Sequence, residues 1–240
     1  MNRLSRLILV FASLSFAFLL LTVFFRVPFP LFPLMSYQDA IDLLTPLVLI
    51  PLYWLLFKYA ARTPSSTPQE IAFMLLAVLW VVGHGMHLAA NSISNLIAAL
   101  ASRGALDVSG TDIYHLTYFY DEVLSHTLWY LGLAGLAALL IYREWRSPAG
   151  EHTVWWSAVL SGIVYGFTLF AIFLEGQSVP IGLTFTALVV ILTLIWGRKR
   201  LSRQPLLAFF FAACLLALLL FTVWGLYWGG FPQFTDVGLI

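Results

Sequence analysis

Seven runs of about 20 apolar residues, each long enough to cross ~30 Å of hydrocarbon at 1.5 Å per helical residue, recur along the chain. They cover roughly residues 4–25, 40–60, 70–101, 113–142, 153–174, 180–197 and 206–228. Proline fills the gaps, with Pro28, Pro30 and Pro33 after the first run, Pro64 and Pro68 after the second and Pro148 after the fourth. A residue that lacks an N–H ends a helix there instead of breaking one. The pattern predicts an all-α, polytopic integral membrane protein, one transmembrane domain built as a seven-helix bundle. The leading Met-Asn-Arg-Leu-Ser-Arg resembles the start of a signal peptide. The apolar run behind it is too long for one and no small-x-small site follows, so it reads as an uncleaved anchor.

Composition removes other classes. Of 240 residues 61% are hydrophobic and 10% charged, where a soluble chain carries about 25% charged residues. A net charge of +1 supplies no phosphate-neutralising surface, so no nucleic acid is expected as a partner, and one cysteine, Cys214, cannot make a disulfide framework. Cationic loops are retained on the cytoplasmic side. Arg3, Arg6, Lys58, Arg62, Arg143, Arg146, Arg198, Lys199, Arg200 and Arg203 fall on one side of the spans, and only Arg26 and Arg103 on the other. The expectation is a multi-pass protein of the plasma (inner) membrane with a cytoplasmic N-terminus and an external C-terminus.

Against this apolar background two spans carry polar side chains, which cost about 2.5–3.5 kcal/mol each for ionisable groups at a helix centre. At 100° per residue, His84, His87, Asn91, Ser94 and Asn95 share one face of the third span. On the fourth, His115, Tyr118, Asp121, Glu122, Ser125 and His126 form a second polar face. Counted from Glu70, His84 lies ~21 Å and His87 ~26 Å across; counted back from Tyr142, His126 lies ~24 Å and Glu122 ~30 Å across. Antiparallel neighbours joined by a short loop bring the two sets to one level in the external half of the bilayer. Glu175 and Gln177 end the fifth span there, and Asp39 and Asp42 open the second.

A divalent metal uses this set best. His at i and i+3 on one helix, with Glu at i and His at i+4 on the next, suits a Zn²⁺ with His84, His87 and His126 as ligands and an open position for water. Glu122 or Asp121 then serves as a further ligand or as general base. Ser125 suits an oxyanion role, and Asn91, Asn95 and Glu175 suit support of the ligands from outside. The expected function is a zinc-type intramembrane hydrolase of a lipid or other amphipathic substrate drawn from the surrounding membrane lipids. Alternatives for the same residues are a proton or divalent-metal transporter, a haem protein with one His from each span, and a non-catalytic receptor or assembly protein whose polar faces join helices. The oligomeric state is open.

In span number, internal N-terminus and a core rich in His and acids, the chain resembles the membrane-embedded zinc hydrolases that include alkaline ceramidases and adiponectin-receptor-like proteins. The resemblance implies a zinc site in the bundle. It covers architecture and residue types alone: that group is expected to carry His-x-x-x-His on its last span, and here the last span has no His. No residue role is carried over. A microbial rhodopsin is excluded, because its last span needs a lysine and the only lysines are Lys58 and Lys199.

Overall fold

In the computed structural model of the protein, residues 2–25, 27–102, 104, 108, 110–148, 150 and 152–239 are described. Arg26 and Arg103, the two basic residues assigned to the external side, lie outside the described residues. Seven helical spans long and apolar enough to cross a membrane run over Arg3–Phe24, Tyr37–Tyr59, Thr67–Ser102, Asp112–Arg146, Trp155–Glu175, Val179–Arg200 and Pro205–Trp228. The protein is a multi-pass, all-helical membrane protein.

Helix α1 (Arg3–Leu19) starts on Asn2, whose side chain accepts the Ser5 N–H, and runs into a 3₁₀ turn at Leu21–Phe24. The proline-rich segment behind it forms a small hairpin, β1 (Pro28–Phe29) against β2 (Phe32–Ser36). Helix α2 (Tyr37–Tyr59) opens with a capping box, Ser36 and Asp39 each satisfying the other's backbone N–H. It carries Pro46 and Pro51 in its interior. Helix α3 (Thr67–Ser102) is continuous. The fourth span is composite: α4 (Asp112–Tyr118), a π-helical segment over Phe119–Ser125, then α5 (His126–Arg146). Helices α6 (Trp155–Glu175), α7 (Val179–Leu192) and α8 (Pro205–Trp228) complete the bundle.

Packing follows the small residues. Gly162 and Gly166 of α6 face Ala212 and Ala213 of α8 so closely that a Cβ on Gly166 would lie 2.5 Å from the Ala213 carbonyl oxygen. Without a hydrophobic drive between helices in lipid, such close backbone approach is what holds them. On the other side of the bundle, a Cβ on Gly83 of α3 would run into the backbone of Ser125 and Trp129 on the fourth span. Gly85, on the other flank of His84, has open space beside it. Between the two pairs lies an aromatic centre of Phe11, Tyr53, Trp80, Tyr165 and Phe209, where the hydroxyls of Tyr53 and Tyr165 share a hydrogen bond of 2.7 Å.

The two ends of the bundle differ. At the end where α3 begins, basic side chains lie on aromatic rings: Arg3 on Tyr59, Arg143 on Phe57, Lys58 on Trp54 and Arg200 on Trp145. Arg143 also donates to Gln69, and the fully buried Glu144 accepts the N–H groups of Leu206 and Leu207 at 3.1 and 2.8 Å, capping α8. The halves of the helices at this end therefore bury more polar groups than their apolar sequence suggests. At the opposite end the helices part around a cavity.

Candidate functional site

The cavity, about 270 Å³, lies between α1, α2, α3, the fourth span and the end of α6. His84, His87, Asn91, Glu122, His126 and Glu175 all line it. Asp42, Thr22 and Gln38 come from α2 and the end of the first span, and Trp129 and Tyr130 supply aromatic walls. Its mouth shares Gln38, Asn91 and Thr235 with an outer basin of about 500 Å³, which Asn95 also lines. The depth estimate that brings the third and fourth spans to one level is matched by these contacts.

His84 owes its orientation to a proline. Pro46 has no N–H, so the carbonyl of Asp42, four residues earlier in α2, loses its helical partner. The His84 Nε2 lies 2.8 Å from that carbonyl oxygen. A carbonyl can only accept, so the hydrogen sits on Nε2 and Nδ1 is a bare lone pair. Nδ1 is buried without a hydrogen-bond partner among the described residues. A neighbouring side chain restoring a backbone bond is what makes an interior proline tolerable in a membrane helix.

The π segment decides which acid faces inward. At α-helical spacing Asp121 points about 100° away from Glu122 and about 140° away from His126. The wider π turn instead buries Asp121, 3% exposed, with its Oδ1 2.9 Å from His87 Nδ1. Glu122 lies nearer the opening, its Oε2 3.6 Å from His126 Nδ1, while that same Nδ1 sits 3.2 Å from the Glu122 backbone oxygen. Ser125 is fully buried and donates its hydroxyl to the Asp121 carbonyl, inside the π segment itself. Such π bulges concentrate at functional sites. The rings of His87 and His126 lie against each other with centroids 4.6 Å apart, and His84 meets the Trp129 ring edge-on at 4.6 Å.

Asn95 donates to Asn91 at 3.2 Å, so these two hold each other at the mouth. Glu175 turns toward the segment after α8: its Oε1 accepts the Phe234 N–H at 2.5 Å and its backbone oxygen accepts from Gln233. Phe234 packs on Phe170 and Trp224, whose indole N–H donates to the Pro232 carbonyl. Residues 230–239 thus fold back over the cavity. His115 and His152 stay outside it; His152 lines a recess among Arg62, Lys199, Arg200 and Arg203 at the other end. Sequence reasoning missed Thr22, Gln38, Trp129, Tyr130, Gln233 and Thr235 as cavity residues. Asp42, four residues before a proline in an apolar run, was a readable signal.

Over 184 aligned residues the chain is 25% identical to Ceroid-lipofuscinosis neuronal protein 6 of Homo sapiens, covering 71% of this chain and 58% of that protein. The homolog of that protein from Canis lupus familiaris is 25% identical over 201 residues, 78% of this chain and 62% of that protein. The chain spans about three fifths of the length of the curated relatives it matches. No family model matches it, and no solved structure does.

These findings overturn the metal-dependent hydrolase. Among the described residues no group of three or more His, Cys, Asp or Glu side chains is disposed to hold a metal ion. The matched relatives bear the name of a ceroid-lipofuscinosis neuronal protein, not of a zinc hydrolase. The physical reason lies in the arrangement: His87 Nδ1 faces Asp121 and His126 Nδ1 faces the Glu122 backbone, and among the described residues His84, His87, His126 and Glu122 do not gather three ligand atoms around one point. The His87 and His126 rings, with centroids 4.6 Å apart, leave no slot for a macrocycle between that pair.

Proposed function

We propose that the protein is an intramembrane binding protein for a small amphipathic molecule drawn from the membrane, with its polar end in the His84, His87, Glu122 and His126 cavity. One observation carries this reading: a cavity among the helices is lined by His84, His87, Glu122 and His126 together with Phe18, Trp129 and Ile172, and it joins a polar basin outside. Ligand sites in helical bundles are concave, mostly pre-formed and marked by a few convergent polar groups. The test is to purify the protein in nonionic detergent, extract it with organic solvent and identify what co-purifies by mass spectrometry. About one amphipathic molecule per chain is expected, and Asn91→Trp, which fills the junction of cavity and basin, should lose it. Equal amounts in both proteins would sink the reading.

The plasma membrane and an external cavity complete the proposal. The ten basic residues at the opposite end support a cytoplasmic N-terminus. A reporter fused beyond Ile240, which lies outside the described residues, should act externally, and one inserted between Arg198 and Arg203 should act internally. A cytoplasmic C-terminus would reverse the orientation.

A further inference from the structure

The cavity also has a chemical polarity. Asp42, Glu122 and Glu175 line it, and among the described residues no Lys or Arg does. Acids alone would make only an acidic cluster; His84 adds a second and independent fact. It is 3% exposed, lines the cavity and holds its one hydrogen on the Asp42 carbonyl, which leaves Nδ1 as a buried acceptor with no donor among the described residues. His126 repeats the pattern, since its Nδ1 faces the Glu122 carbonyl and its other nitrogen is left as a lone pair. The Glu122 Oε2 is likewise buried without a hydrogen-bond partner. His87 and Asp121 sit against each other, Nδ1 to Oδ1 at 2.9 Å.

A site whose free polar atoms accept calls for a ligand that donates. We propose that the cavity binds a long-chain amine, its ammonium donating to His84 Nδ1 and to the Glu122 carboxylate, its tail lying along Phe18, Trp129 and Ile172. An ammonium brings three donors and a charge opposite to the lining acids. An alcohol brings one donor and no charge, and a carboxylate would meet three carboxylates. The indole N–H of Trp129, which has no hydrogen-bond partner among the described residues, fits an oxygen on the same ligand. This inference rests on the binding function proposed above and names its ligand class.

The experiment titrates the protein in nonionic detergent with dodecylamine, dodecanol, dodecanoate and butylamine, and measures binding by calorimetry. Dodecylamine should bind at least about tenfold more tightly than dodecanol, with dodecanoate and butylamine weaker still. Glu122→Gln, whose side chain is partly open to the cavity mouth, should keep the melting temperature and narrow the amine-to-alcohol ratio to less than about threefold. Dodecanol or dodecanoate binding as tightly as the amine would overturn the cationic ligand and leave the binding function standing. Butylamine binding as tightly as dodecylamine would replace the long-chain amine with a soluble one. Saturation by none of the four would remove the proposal and the binding function together.

Discussion

Glu144 and Glu122 sit in the same membrane span and end in opposite circumstances. Glu144 is wholly enclosed, and each of its carboxylate oxygens accepts a backbone N–H at the start of α8. Glu122 faces a cavity, and its Oε2 has no hydrogen-bond partner among the described residues. The same contrast runs through the neighbouring helices. Where α6 meets α8, small residues close the gap and aromatic rings fill the rest. Where α3 meets the fourth span, Gly83 closes the contact only below the histidines, and above it the polar atoms are left over. A carboxylate in hydrocarbon is structural when the protein fills its lone pairs and available for binding when it does not.

Three substitutions test that division. The largest effect is expected from Gly83→Leu, because the new side chain meets backbone atoms of Ser125 and Trp129 that cannot turn aside. It should lower stability by about 3 kcal/mol or more, read as loss of folded monomer in detergent gel filtration. If the protein tolerates it, α3 and the fourth span are not held by that contact. Glu144→Ala removes the cap from α8 and strands two N–H groups, at about 2–3 kcal/mol, visible as a lower midpoint in thermal unfolding. An unchanged midpoint would mean that Glu144 is not the satisfied acid described above. Asn95→Ala breaks only a contact with Asn91 at the rim and should shift that midpoint by less than about 0.5 kcal/mol. A large loss there would show that the rim is structural and not a mouth.

The sequence was most legible where hydrocarbon imposes the rule. A run of about 20 apolar residues has one way to satisfy its backbone in lipid, so the seven spans could be read before any packing was considered. Their bounds shift most at the starts of the second and third spans, now Tyr37 and Thr67, and at the ends of the fourth and sixth, where Tyr142 and Gly197 give way to Arg146 and Arg200. The meeting of His84 and His87 with Glu122 and His126 was legible too, because helical rise alone fixes depth. Facing was less legible. A periodicity of 3.6 cannot anticipate the π segment at Phe119–Ser125, and so it gave Glu122 the inward place that Asp121 shares. The hydrolase followed from residue types without partners. Only the folded bundle reveals that a carbonyl on α2 occupies one nitrogen of His84. Nor does any local signal mark Glu144, since the N–H groups it caps belong to Leu206 and Leu207, far along the chain.

The bond between His84 and the Asp42 carbonyl carries a consequence for how this sequence can drift over evolutionary time. Pro46 creates the bare carbonyl and His84 covers it, so neither residue is free to change alone. Replacing the histidine by an apolar residue strands an oxygen in the bilayer, whereas replacing the proline returns that oxygen to its own helix and releases the imidazole to either tautomer. Positions 46 and 84 should therefore exchange as a pair among descendants of this chain, proline with a donor or neither. A lineage that keeps the histidine after losing the proline would be one in which the ring is retained for its ligand alone.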